Sequence, residues 1–145
     1  MDATLLDKDM LSEVLKRKNP QILSHAHRYL AAHRRLAFSN MTIYEIVRGL
    51  KATGATQQLS NFHAVINSSD VIPIDPAILM RAADLWAEGK RGGHPSDDAD
   101  LIIAATALET GRVLVTGNTT HYAWISGLIL EDWRRPTPAP QSNDQ

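Results

Sequence analysis

The chain has no cysteine. That removes a disulfide framework and any thiolate-held zinc or iron–sulfur centre, and it suits a reducing, cytoplasmic setting. A metal, if one is used, must be held by oxygen or imidazole. The first residues carry Asp2, Asp7 and Asp9 and no apolar run long enough for a signal peptide or a membrane span. No internal repeat is visible. Charge of neither sign dominates: the net charge is −1, with 43% hydrophobic and 21% charged residues, so a packed globular domain is expected rather than disorder. At 145 residues one domain with a real core is expected.

What is present is unevenly placed. Residues 1 to 55 hold 9 Lys and Arg against 5 Asp and Glu, and the remainder holds 6 against 11. A basic front and an acidic back suit a polyanion lying across a site whose acids hold a cation. Three acids stand in apolar company: Asp7 ends an apolar strand, Glu45 lies inside a helix, and Asp100 heads a helix that continues Leu101, Ile102, Ile103, Ala104, Ala105 without a polar break. Carboxylates drawn from water repel one another unless a divalent cation lies between them. Each has a plainer reading as well. Asp7 suits a helix cap, Glu45 a surface helix position, and Asp97, Asp98 and Asp100 the positive end of a helix dipole.

Hydrophobic spacing predicts a strand over 3–6 and a helix over 9–16, with Asp7 at the turn between them. Asn19 and Pro20 open a second helix, 36–38 is a strand, and Ser39 or Asn40 caps a helix that stops at Gly54. A helix over 56–67, a strand over 71–74, and a helix from Pro76 that gives way to a loop over 89–94 follow. The last elements are a helix over 96–109, a strand over 113–116 and a strand over 128–130. Alternating strands and helices predict a three-layer α/β/α sandwich around a mainly parallel central sheet, with the site outside the carboxyl ends of the strands. The domain is expected to span 1–133, and the Pro-rich segment 134–145 to be a disordered tail.

Four segments taken in order resemble the PIN-domain ribonucleases, and within them the VapC toxins of bacterial toxin–antitoxin pairs. They are LLDKDMLSEVL at 5–15, SNMTIYEIVRGL at 39–50, DADLIIAATALETGRVLVTGNTTHY at 98–122 and GLILEDW at 127–133. The resemblance implies a PIN-like fold, cleavage of RNA to a 5′-phosphate and a 3′-hydroxyl, and Mg²⁺ or Mn²⁺ as cofactor. It also implies that Asp7, Glu45 and Asp100 are the acidic set. Asp7 and Asp100 would hold the ion, and Glu45 would complete its shell through water or position the attacking water. Two residues depart from the family pattern. Lys8 stands where Thr or Ser usually follows the first acid, and His121 where a fourth acid is often found. Asp98, Asn118 and His121 are possible assistants, although the ~100° step of a helix turns Asp98 about 200° from Asp100 and leaves Asp97 on Asp100's face.

Lys16, Arg17, Lys18, Arg34, Arg35, Arg48 and Lys51 are candidate contacts to the RNA backbone. Tyr122 and Trp124 are either base-stacking or core residues. The resemblance further implies a cognate antitoxin whose basic or hydrophobic tail occupies the acidic groove. Apolar ridges over 20–33 and 42–53 would receive it or form a homodimer. Two other readings compete with the nuclease. One is a haloacid-dehalogenase-like phosphatase using Asp7 and Asp9, which Met10 and the loop sequence before Asp97 disfavour. The other is a catalytically weak PIN-like binding module.

Overall fold

A computed structural model describes residues 1–136. Its elements in order are β1 (Thr4–Leu6), α1 (Lys8–Lys16), α2 (Pro20–His33), β2 (Ala37–Ser39), α3 (Asn40–Ala52), α4 (Thr56–Asn67), β3 (Asp70–Ile72), α5 (Pro76–Gly92), α6 (Asp98–Thr110), β4 (Val113–Val115), α7 (Thr119–Tyr122) and β5 (Leu130–Glu131). Every strand pairing is parallel. Ladder hydrogen bonds join β1-β4-β5 and, separately, β2-β3, and β1 lies beside β2. The central layer is thus parallel as expected, but divided in its hydrogen bonding between β1 and β2.

Side-chain alternation along the strands sends neighbours to opposite faces. Leu6 and Val115 enter a core with Met10, Ile22, Tyr29, Phe38 and Phe62. Leu5 and Leu114 enter another with Ile78, Leu85, Leu101 and Ala104. α1, α2 and α4 therefore cover one face and α5 and α6 the other, which makes the three layers. In α6, Leu101, Ile103, Ala104, Ala105, Thr106 and Ala107 are all buried, as its unbroken apolar run requires.

Local chemistry explains the element ends. Asn19 caps α2 by accepting from the N–H groups of Gln21 and Ile22, and Ser39 caps α3 by accepting from Met41. β3 ends before Pro73, which has no N–H to give to a ladder, so the strand expected over 71–74 forms one residue earlier and stops short. The loop expected over 89–94 is instead helical through Gly92 and reverses at Gly93, where φ is +72°. Gly89 is there because the Trp124 ring and the His94 carbonyl leave no room for a Cβ. β5 forms at Leu130–Glu131 rather than 128–130, in register with Leu114 and Val115.

Most of the expected tail, 137–145, lies outside the described residues. Its first residues are engaged: Arg134 bonds the Asp132 carboxylate and the Gly117 carbonyl, and the Arg135 carbonyl lies 2.6 Å from His25 Nε2. No helix among the described residues is long and apolar enough to cross a membrane. The α2 ridge expected to dock a partner is largely consumed by the core, with Ile22, His25, Ala26 and Tyr29 buried. The exposed large apolar side chains fall mainly on α5, at Leu79, Met80 and Trp86.

Candidate active site

Asp7 leaves β1 at its carboxyl end and serves both plain and functional readings. Its Oδ1 accepts the Met10 N–H at 2.8 Å, capping α1. The Thr116 hydroxyl, at the carboxyl end of the adjacent β4, lies near the same carboxylate and favours its charged form. Thr116 is fully buried, and its Oγ1 also accepts the Asn118 N–H at 3.0 Å, fixing the loop after β4. Asp7 is thereby oriented by its capping bond. Even so, burial pushes its carboxyl above the ordinary aspartate range, and the charges of Asp9 and Asp100 push the same way.

Glu45 sits in the second turn of α3, 9% exposed. Burial likewise raises its pKa. Lys8 opposes that rise, and the charges of Asp100 and Asp7 add to it. Lys8 Nζ lies 3.8 Å from Glu45 Oε2. Asp100 projects from the first turn of α6, with His121 Nε2 3.2 Å from its Oδ2. That nitrogen is buried, out of line for a hydrogen bond, and has no other partner among the described residues. The Tyr122 phenol lies beside Asp100 and is held well above the usual range, first by burial and then by the charges of Asp100, Asp7 and Glu45. One buried phenol thus feels all three acids. They line a single cleft of about 490 Å³ with Lys8, Asp9, Arg48, Asp97, Ala99, Asn118 and Tyr122.

Several expectations need correction. Asp98 is not in this cleft. It lies on the other side of α6, in a groove with Leu79, Trp86 and Ile102, while Asp97 shares Asp100's side, as the helical step requires. Asn118 lines the cleft, and His121 meets it through Asp100. Of the seven basic candidates only Arg48 is a cleft residue. Lys16 and Arg17 end α1 on an apolar groove with Leu50 and Phe62, and Lys18 follows them. Arg34 and Arg35 lead into the amino end of β2, the opposite edge from the acids. Lys51 is in the last turn of α3, a turn beyond the cleft. Trp124 stacks on His94 and takes no part. The residues that sequence reasoning missed are Asp97 as a cleft acid, Thr116, and Tyr122 as a partner of Asp100. Only Asp97 had a usable signal, its register with Asp100.

The donor set fits a hard divalent cation. It is made of carboxylates, an amide and hydroxyls, with no thiolate. Among the described residues no three acidic or histidine side chains close tightly enough to enclose an ion unaided.

An acid-lined cleft at the carboxyl edge of a parallel sheet, flanked by helices on both faces, defines an α/β protein equipped for oxygen-ligand metal chemistry. The phosphatase alternative needed a strand before Asp97, and α5 and a loop stand there instead. The chain belongs to the PIN-domain family, whose model matches residues 4–123. It is similar to the tRNA(fMet)-specific endonuclease VapC of Shigella flexneri, 26% identical over 130 residues that cover 89% of this chain and 96% of the relative. Its fold matches a chain in the crystal structure of DNA-bound VapBC from Salmonella typhimurium with a TM-score of 0.80 and 27% identity, covering 92% of this chain and 99% of that one. It matches a VapBC-1 chain from nontypeable Haemophilus influenzae with a TM-score of 0.78 and 25% identity, covering 92% and 99%.

Proposed function

We propose that the chain is a divalent-metal-dependent endoribonuclease, the toxin of a toxin–antitoxin pair, acting in the cytoplasm. The observation that carries this is the convergence of Asp7, Glu45 and Asp100 on one cleft, with the Tyr122 hydroxyl among their charges. Its VapC relatives and the VapBC complexes whose fold it shares support the activity and an antitoxin partner.

Hydrolysing a phosphodiester adds negative charge to an anionic centre, so five cleft carboxylates alone would repel the substrate. A bound Mg²⁺ or Mn²⁺ would supply the positive charge and ease deprotonation of the attacking water. Asp7 and Asp100 would hold the ion. The Met10 N–H bond holds Asp7 in orientation, so little reorganisation of that ligand is left for the reacting state. Glu45, opposite them on α3, would orient the water and receive its proton, a role that its raised pKa suits. Arg48 at the cleft wall would contact phosphate. Cleavage would leave a 5′-phosphate and a 3′-hydroxyl. A homodimer is part of the same reading.

The test is cleavage of labelled structured RNAs by the purified protein with Mg²⁺ or Mn²⁺, with chelator, and with Asp100→Asn. The expected loss is roughly 10²–10³-fold in rate, the scale for removing one group that stabilises developing charge. Metal-independent cleavage, or a fully active Asp100→Asn, would sink the proposal. Silence on every RNA would favour a PIN-like binding module.

A further inference from the structure

We infer that the Lys8 ammonium is a cation built into this site, occupying the side of Glu45 that a second divalent ion would need, so that the chain takes one ion rather than two. The inference rests on the metal-dependent reading above and concerns a residue peculiar to this chain's departure from the family pattern. Lys8 is the first residue of α1, directly after Asp7. A cation there opposes the positive end of the helix dipole, so local helix energetics do not account for it. Its side chain turns instead into the cleft, where Nζ lies 3.8 Å from Glu45 Oε2. The two partners differ in exposure, with 41% for the Lys8 side chain against 8% for Glu45. The ammonium therefore stands in the cleft as the more exposed partner of a mostly buried carboxylate, open to whatever enters.

The charge inventory gives that position its consequence. Asp7, Asp9, Glu45, Asp97 and Asp100 line the cleft, against Lys8 and Arg48 as its basic side chains. Among the described residues no lysine or arginine is paired with Asp7 or Asp100, and the basic group beside Asp100 is His121 Nε2 at 3.2 Å, so a divalent ion there meets no fixed ammonium or guanidinium. An ion seeking Glu45 meets an ammonium 3.8 Å from that carboxylate, and like charges at such short range in a partly dehydrated cleft repel strongly. A lysine ammonium is a compact point charge with three donors, able to bond a carboxylate and a phosphate oxygen together. Lys8 thus presents the substrate phosphate with part of the positive charge that a second ion would bring.

The test counts ions directly. Free Mn²⁺ is followed by electron paramagnetic resonance as it is titrated into the wild-type protein and into Lys8→Thr, Lys8→Gln and Lys8→Arg, each checked for folding by circular dichroism. The expected result is one Mn²⁺ per chain for wild type and Lys8→Arg. Lys8→Thr and Lys8→Gln should take a second ion. Two ions in the wild type would overturn the inference. So would neutral variants that still bind one ion, and if the wild type in that case cleaves RNA with metal, the nuclease reading survives alone. Absence of Mn²⁺ binding in all four proteins would overturn both together.

Discussion

The two ends of the three-residue strand β1 lead into opposite kinds of polar environment. Below Thr4, the Tyr29 hydroxyl accepts the Thr4 N–H at 3.1 Å, His25 Nε2 pairs with the Arg135 carbonyl at 2.6 Å, and Glu131 stands 3.7 Å from His25 Nδ1. Trp133 stacks on His25 with ring planes 3° apart. Apart from the Thr4 hydroxyl, which is neutral, the buried groups there have partners. Three residues on, Asp7 enters a cleft where burial and neighbouring carboxylates raise its pKa and that of Glu45. A satisfied pocket contributes to folding, whereas a cleft of like charges detracts from it, the pattern expected of a functional site.

The largest effect should come from breaking the satisfied end. Trp133 is 2% exposed and touches both His25 and Tyr29. Trp133→Ala should cost about 3–5 kcal/mol of stability, the usual loss for truncating a buried large aromatic. Urea unfolding followed by circular dichroism measures it, and a loss under 1 kcal/mol would show that this cluster is not the keystone of its core.

At the other end the sign should reverse. Asp7→Asn keeps an N-cap oxygen of equal quality and removes a charge that burial and Asp9 and Asp100 oppose. Because the folded pKa of Asp7 is raised, its ionisation weakens the fold. The penalty is absent below the ordinary aspartate value of 3.8, and it grows as pH rises through the raised folded value. In chelator, Asp7→Asn should therefore be more stable than wild type at neutral pH, with the gap closing in acid, while its RNA cleavage is lost. Asp7→Ala removes the cap as well and should fall about 1 kcal/mol below Asp7→Asn at every pH. Thermal melts of the three proteins at pH 3.5 and 7.5 test both statements. An Asp7→Asn less stable than wild type at pH 7.5 would contradict the view of the cleft as destabilising. Asp132 works the other way: its bonds to Arg134 lower its pKa, so its contribution is present at neutral pH and lost as pH falls through that lowered value.

What could be read in advance follows from how far each signal reaches along the chain. Asp7 stood out because an apolar strand, a turn and a helical period meet within a dozen residues, and Asp100 because no surface helix runs so long without a polar residue. The layer order followed from alternation of strands and helices alone. The Asp97 and Asp98 sides were legible from the helical step, although Asp98 was the residue carried forward as an assistant. Thr116 and Tyr122 were not legible, because their roles depend on β4 lying beside β1 and on a four-residue helix, α7, that has no period to detect. The basic candidates divide by place. Composition marks the front of the chain as cationic, and the fold puts Arg34 and Arg35 before a strand, Asp7 after one and Arg48 on the cleft wall.

That last distinction gives the smallest and most discriminating effect. Arg48 lines the cleft and lies over the exposed Tyr44 ring, 5.1 Å from its centroid, while Arg35 is at the far edge of the sheet. In an Asp100→Asn background, where RNA stays intact, binding of a labelled RNA hairpin can be followed across salt concentration. Removing one true phosphate contact should lower the slope of log affinity against log salt by about 1. Arg48→Ala should show that change and Arg35→Ala none, even though the two substitutions remove the same charge. Equal effects from both would mean that the RNA wraps the amino edge of the sheet too, and the division of the molecule into a folding end and a binding end would no longer hold.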